Sequence, residues 1–264
     1  VAASIEADTL TKQYHAHGGT LTAFADLTFA VAAGEFVCVV GPTGCGKTSL
    51  LRILADLEQA SAGTLNIRRR GADVTTRVAM AFQDHGLLPW LSLRDNILFA
   101  MAGTSPLARP AQVERCASLL DRVGLTAFAN FYPHQVSGGM RQRVNLARAF
   151  AVDPHLLLMD EPFVFLDYQT RAALQALLLE QWEGSGKTVV FVTHDLEEAV
   201  MLGDRVLVLT AHPGRLHSVL PIDLPRPRLL RNLRSDPHCL RLMETLMAAF
   251  PRLAQPVDQP EAGP

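Results

Sequence analysis

The chain has 264 residues, 48% apolar and 19% charged, which excludes a disordered chain and leaves room for one large core or two small ones. A formal net charge of −2 supplies no global positive field, so no nucleic-acid partner is expected. The four cysteines (Cys38, Cys45, Cys116, Cys239) make no CxxC pair and no zinc spacing, and without a secretory leader they point to free thiols in a reducing cytosol.

Residues 1–35 read as strands and turns, punctuated at Gly18–Gly19 and Ala33–Gly34. Phe36–Val40 is a continuous apolar, β-rich run, as expected of a strand covered on both faces. A glycine-rich loop follows, then a helix from about Lys47 with Leu50, Ile53, Leu54 and Leu57 at helical spacing. Residues 64–82 read as two strands about a turn at Arg68–Gly71. From about 88 to 155 the pattern is helical, with Val113, Cys116, Ala117 and Leu120 as one stripe and Gly124 at a C-terminal cap. Leu156–Met159 is a second buried strand. Leu174, Leu177 and Leu178 mark a helix that ends at Gly184–Gly186. Val189–Thr193 and Arg205–Thr210 are strands around a short helix. Beyond Pro213–Gly214 one more helix is expected near Pro237–Phe250, with Leu240, Met243, Met247 and Phe250 on one face, and the proline-rich Gln255–Pro264 is expected to be loose. Strands alternating with helices predict an α/β core with a parallel sheet. Apolar runs such as Phe36–Val40 and Val189–Val192 are far too short to cross a bilayer, so any membrane-spanning part must come from another chain.

Gly41-Pro42-Thr43-Gly44-Cys45-Gly46-Lys47-Thr48 matches the phosphate-binding pattern G-x-x-x-x-G-K-[ST]. Glycines let backbone N–H groups turn inward around a β-phosphate, and the loop feeds a helix N-terminus that favours the anion. Lys47 is placed to reach the β- and γ-phosphates, and the Thr48 hydroxyl to ligate Mg²⁺. The pattern sits between a buried strand and a helix, as that chemistry requires. Gly184-Ser185-Gly186-Lys187-Thr188 mimics the end of the same motif. It begins from Gln181 rather than glycine and runs into a strand, so it reads as a helix-to-strand turn.

Leu156–Met159 runs into Asp160-Glu161-Pro162, which places two carboxylates at the C-terminal edge of the sheet beside the phosphate loop. One can hold the Mg²⁺ shell and the other can orient or deprotonate an attacking water; Asp160 is assigned to the metal and Glu161 to the water.

With Val136-Ser137-Gly138-Gly139-Met140-Arg141-Gln142-Arg143 between these two motifs, the sequence resembles the ATPase subunits of ABC transporters, whose LSGGQ-type signature this segment matches with Val136 for leucine. Ser137 can cap the following helix, and Gly138–Gly139 expose its first N–H groups as a second anion site. In the family, the signature of one subunit closes over the ATP of its partner, so the resemblance implies a dimer, either a homodimer or a pair with a similar paralogue. It further implies that Tyr14 stacks on adenine, that Ser49 follows Thr48 in the phosphate site, that Gln83 reaches Mg²⁺ and senses the permease, that Asp167 after Leu166 is the D-loop acid, and that His194 in Thr193-His194-Asp195 contacts the γ-phosphate. Tyr14 also reads as a strand-packing tyrosine, and the other eight histidines carry no motif. Phe165 stands where the D-loop usually has a small residue.

The likeness covers about residues 4–220 and is nearest the nitrate/sulfonate/taurine importer group, through Gln83–Trp90, the stretch from Asp204 to Gly214, and Asp223–Arg228. It implies a P-loop NTPase (RecA-like) core with an antiparallel β subdomain and an inserted α-helical subdomain at about 88–155. On this reading residues 1–228 form the ATPase domain and 229–264 a helical extension and loose tail. ATP and Mg²⁺ are the implied cofactors. The implied partners are membrane permease subunits contacting Gln83–Leu91, a second ATPase subunit and, indirectly, a periplasmic or extracellular solute-binding protein. The implied place is the cytoplasmic face of the inner or plasma membrane. Leu87, Leu88, Trp90 and Leu91 read equally as a groove for a permease helix or as packing within the helical subdomain. The alternative, a soluble ABC ATPase acting on DNA or ribosomes, usually carries a long coiled coil, a zinc insertion or a basic linker, and this chain has none of them.

Overall fold

The computed structural model describes residues 2–16, 19–69, 76–83, 86–105, 107–164, 166–228 and 236–249. Phe165, Phe250, the Gln255–Pro264 tail, and parts of the turn at Arg68–Gly71 and of the Gln83–Trp90 stretch lie outside these. In chain order the elements are β1 (Ala3–Ala16), β2 (Gly19–Val31), β3 (Phe36–Val40), α1 (Lys47–Leu54), β4 (Ala62–Arg69), β5 (Val78–Ala81), α2 (Leu93–Met101), α3 (Arg109–Arg122), α4 (Gly138–Ala151), β6 (Leu156–Asp160), α5 (Tyr168–Trp182), β7 (Thr188–Val192), α6 (Leu196–Leu202), β8 (Arg205–Leu209), β9 (Leu216–Pro221) and α7 (Pro237–Ala249).

Two sheets form. One is antiparallel with order β2-β1-β4, and the other has order β5-β6-β7-β3-β8-β9. In the second, β5 to β8 run parallel and β9 closes the edge antiparallel to β8. Every residue of β3, β6 and β7 is buried, because both faces of this sheet are covered. The two-residue period divides each strand between two cores. Phe36, Cys38 and Val40 join α2 to α6 on one side, while Val37 and Val39 face α1 and the antiparallel sheet on the other.

The register decides what meets at the sheet's edge. Val39 pairs with Val192, which pairs with Asp160, and Val40 pairs with Val208. The segments leaving β3, β6, β7 and β8 therefore emerge side by side. Helix α4 begins at the signature: the Ser137 hydroxyl caps it by accepting from Met140 N at 3.3 Å. Asp167 caps α5 by accepting from Thr170 N at 3.0 Å.

Three expected apolar faces differ from those observed. Helix α1 ends at Leu54, so Leu57 lies past it and is exposed. In α3 the inward stripe is Gln112, Cys116, Leu119 and Leu120, while Val113 and Ala117 face out. Gln112 tolerates burial because its Nε2 donates to the Leu107 carbonyl at 2.9 Å, which a hydropathy pattern does not register. In α7 the inward residues are Cys239, Leu242, Met243 and Leu246, and Leu240 and Met247 are exposed; apolar residues all round the helix leave its phase ambiguous.

Phe36 anchors the larger core, with its ring edge-on to Trp182 at 5.5 Å and tilted against Phe191 at 5.9 Å. Phe36→Ala is expected to lower the unfolding free energy by about 3–5 kcal/mol, read from the urea midpoint. A loss below about 1 kcal/mol would show that this contact is not a core anchor.

Candidate nucleotide site

At the C-terminal edge of the parallel sheet lies a cleft of about 600 Å³. Tyr14, Thr43, Gly44, Gly46, Lys47, Thr48, Ser49, Gln83, Glu161 and His194 line it, together with Leu21, Thr22, Ala23 and His212. Ten expected residues, spread over 180 positions of sequence, therefore share one wall.

The phosphate loop is held by contacts that need its glycines. Gly44 and Gly46 have φ of +80° and +91°. A Cβ on Gly46 would stand 2.9 Å from the Phe24 ring, and one on Gly41 would stand 2.8 Å from Cys45 Sγ. Gly41, Pro42 and Cys45 are buried beneath the loop and do not line the cleft; they shape its backbone. The Cys45 thiol is pushed up by burial, against the pull of neighbouring Lys47. Lys47 is 7% exposed and its Nζ donates to the carbonyls of Gly41 (2.8 Å) and Pro42 (2.9 Å). The ammonium thus spans the mouth of the loop where an anion would be cradled.

Asp160 ends β6 and is buried, hydrogen-bonded to the Thr48 hydroxyl. Burial raises its carboxyl above the usual range and Glu161 adds to the rise, while Thr48 and Lys47 pull the other way. Glu161 has φ of +45°, an uncommon conformation for a non-glycine residue that costs of order 1–3 kcal/mol. Its N–H donates to the Val192 carbonyl at 3.0 Å, which fixes it to β7. The turn presents its carboxylate to His194, with Oε2 3.2 Å from Nδ1. His194 itself is well exposed, free on its far side to meet a ligand.

Tyr14 sits at the other end of the cleft. Its hydroxyl bridges Ser49 Oγ at 2.9 Å and Glu58 Oε2 at 2.7 Å, and Lys12 Nζ lies 4.8 Å from its ring. Tyr14 packs on the antiparallel sheet, as the strand-packing expectation has it, and it also lines the cleft. Gln83 is exposed in the cleft, beyond β5. The segment around it is tied to α4, since Asn145 Nδ2 donates to the Phe82 carbonyl at 2.9 Å and Arg148 donates to the Gly86 carbonyl at 2.7 Å.

Ser137, Gly138, Gly139 and Asp167 are not brought to this cleft. They start α4 and cap α5, away from the loop of their own chain. The mimic at Gly184–Thr188 is a turn, with Lys187 paired to Asp153 at 3.0 Å and the Thr188 hydroxyl accepting from Gly34 N at 2.9 Å.

His212 was not expected here. Its ring lies against the phosphate loop, 2.8 Å from where a Gly44 Cβ would be. The loop carrying it is fastened to β2 by Gly214 N to Ala23 O (3.0 Å) and Ala25 N to Gly214 O (2.9 Å). In the sequence the turn signal at Pro213–Gly214 and the Asp204–Gly214 likeness marked this segment, and neither singled out His212. Among the described residues, Trp90 (69% exposed) and Phe99 on α2 (61% exposed) are two of the large apolar side chains left in solvent. Leu87 packs on the core, Leu88 and Leu91 are half-buried, and Trp90 faces solvent.

The family model for ABC transporters matches residues 24–164. The aliphatic sulfonates import ATP-binding protein SsuB 2 of Burkholderia lata is 43% identical over 91% of this chain and 85% of its own length. The nitrate import ATP-binding protein NrtC of Synechococcus elongatus is 40% identical over 87% of this chain and 35% of its own. Among solved structures, a dimeric post-hydrolysis state of an ATP-binding cassette bound to ADP and Pi superposes with a TM-score of 0.74 at 29% identity, covering 84% of this chain and all of that one. Phosphate loop, strand-end carboxylates, signature and overall likeness agree: the chain belongs to the ABC transporter family, as an ATP-binding, ATP-hydrolysing cassette.

Proposed function

We propose that this cassette energises uptake of a small anion or an organosulfur or nitrogen solute, by closing as a dimer at the cytoplasmic face of a membrane permease. One observation carries the dimeric reading. The phosphate loop, Glu161 and His194 share a cleft, while Ser137–Gly139 and Asp167 do not line it. Each chain therefore holds half of a site and offers the other half outward. The dimeric ADP-bound cassette it resembles supports that reading. The relatives named for sulfonate and nitrate import support the substrate class, with recognition of the solute left to the permease and a solute-binding protein.

The roles follow from placement. Tyr14 offers a ring to the base. The loop amides and Lys47 hold the phosphates, with Lys47 exchanging its two carbonyl partners for phosphate oxygens. The partner's signature helix N-terminus meets the γ-phosphate from the far side. Glu161 takes a proton from the attacking water, and His194 orients Glu161 while contacting the γ-phosphate. Thr48, Asp160 and Gln83 offer only oxygen donors, which suits Mg²⁺. No group of three or more His, Cys, Asp or Glu side chains among the described residues would hold a metal alone. That fits an ion shared with ATP phosphates. Bound there, Mg²⁺ would neutralise charge on the β- and γ-phosphates. Residues 1–228 act as the ATPase unit, with α2–α4 as its helical insertion, and 229–264 extend it. No helix among the described residues is long and apolar enough to span a membrane, so the permease supplies the path. Trp90 heads its docking face, on a turn held by buried Asn96, whose Nδ2 donates to the carbonyls of Leu88 (3.1 Å), Leu91 (3.1 Å) and Ser92 (3.0 Å).

Three outcomes test this. Glu161→Gln is expected to bind ATP with near-normal affinity, to lose at least about 100-fold in kcat, and to elute as an ATP-dependent dimer; normal turnover would remove Glu161 from the mechanism. Trp90→Ala is expected to weaken co-purification with the permease while leaving basal ATPase intact, whereas unchanged capture would remove the docking face. Asp160 has its folded pKa raised, so the folded state binds the extra proton and stability falls as pH rises from the ordinary aspartate value through the raised one. In chelator without nucleotide, Asp160→Asn should therefore match or exceed wild-type stability at neutral pH, with the advantage shrinking as pH falls toward the ordinary aspartate value. A variant that loses stability relative to wild type as pH rises out of that range would contradict the burial argument.

A further inference from the structure

Behind His194 lies a buried polar chain that the hydrolytic roles do not use. Thr193, Glu198 and Gln175 are 2%, 7% and 2% exposed. The Thr193 hydroxyl donates to Glu198 Oε2 at 2.7 Å, and Gln175 Nε2 donates to Glu198 Oε1 at 3.0 Å. Thr193 Oγ1 also accepts from Asp195 N at 3.0 Å, so this one hydroxyl anchors both flanks of His194. A second bridge runs parallel. Arg171 Nη1 lies 3.6 Å from Asp195 Oδ2, and Asp195 caps α6 by accepting from Glu197 N (2.9 Å) and Glu198 N (3.3 Å).

Both bridges start on α5 and cross a cleft of about 170 Å³ to reach α6 and the histidine loop. Arg171 is one turn from Asp167 and Gln175 two turns, on the same helix face. The first residue of that helix follows the Asp167 cap, which is placed outward. A buried carboxylate is costly to retain unless its bonds are used, and burial indeed pushes the Glu198 carboxyl up. In the first bridge Gln175 Oε1 is left over, buried with no partner, as is Arg171 Nε in the second.

We infer that Gln175, Glu198 and Thr193 are positioning residues that link α5 to the His194 loop, so that the partner's engagement of Asp167 sets the aim of the histidine. The inference rests on the role proposed above for His194. It explains how a dimer contact outside the cleft would reach the γ-phosphate end of the same chain's site: α5 moves as a rod, and the two bridges carry its movement to Thr193 and Asp195.

The leftover Gln175 oxygen makes the test sharp. In Glu198→Gln the new side-chain oxygen can accept from Thr193 and its NH₂ can donate to Gln175 Oε1, once the Gln175 amide turns over. That variant is expected to keep kcat within about two-fold of wild type. Glu198→Leu and the near-isosteric Thr193→Val are expected to lower kcat by about ten-fold or more with ATP KM within about two-fold, since ATP is held elsewhere. Asp167→Ala should lower kcat in the wild type and add little in Glu198→Leu. The measurements are steady-state ATPase rates of the full chain, with folding checked by circular dichroism. Wild-type kcat in Thr193→Val, equal losses in Glu198→Gln and Glu198→Leu, or fully additive losses with Asp167→Ala would each overturn the linkage. His194→Ala separates the two readings: if it hydrolyses ATP normally, the role of His194 fails, and if it is inactive while the linkage variants are normal, only the linkage fails.

Discussion

The parallel register of the large sheet is the constraint on which the site depends. Val39, Val192 and Asp160 lie in one row across β3, β7 and β6. That row fixes where the phosphate loop, the strand-end carboxylates and the histidine loop leave the sheet. A slip of one residue in β6 would turn Asp160 to the opposite face and break its bond to Thr48. The register is firm because both faces are buried, so each strand has two apolar stripes to satisfy at once. The chemistry at the edge therefore inherits its precision from packing well below it.

The same edge also shows where strain is kept. Glu161 adopts a positive φ, Asp160 carries a carboxyl raised by burial, and Lys47 folds onto its own loop carbonyls. Each is unfavourable or self-satisfied without a ligand and becomes useful with one. A phosphate gives Lys47 new partners, and the turn at Glu161 aims its carboxylate at His194. On the proposed reading these features form a half-site, prepared but not complete, and the second anion site at Ser137–Gly139 belongs to the neighbouring ATP.

Much of this was legible from sequence, for identifiable reasons. Phosphate chemistry demands glycines, a lysine and a hydroxyl at fixed spacing, so Gly41–Thr48 could be read without a fold. Asp160 and Glu161 were legible because a wholly apolar strand ran straight into acid. Other features were not. His212 enters the cleft only because β8 neighbours β3, and pairing order is not written in local pattern. The inward face of α3 was misplaced by one residue because Gln112 buries an amide that finds a carbonyl. The bridge from Gln175 to Glu198 joins residues 23 apart, neither of which belongs to a motif read from the sequence. Long-range polar partners follow from the tertiary structure, and periodicity cannot name them.

The central claim is that an active site needs the phosphate loop of one chain and the signature of another. Mixing two inactive variants tests it most directly. Lys47→Ala spoils the loop and leaves the signature intact, while Gly139→Asp sets a carboxylate at the signature and leaves the loop intact. If sites are completed in trans, a mixed dimer regains one whole site, and ATPase activity rises well above that of either variant alone. If mixing restores nothing, although both variants fold and associate, the site is not shared between chains and the account is wrong.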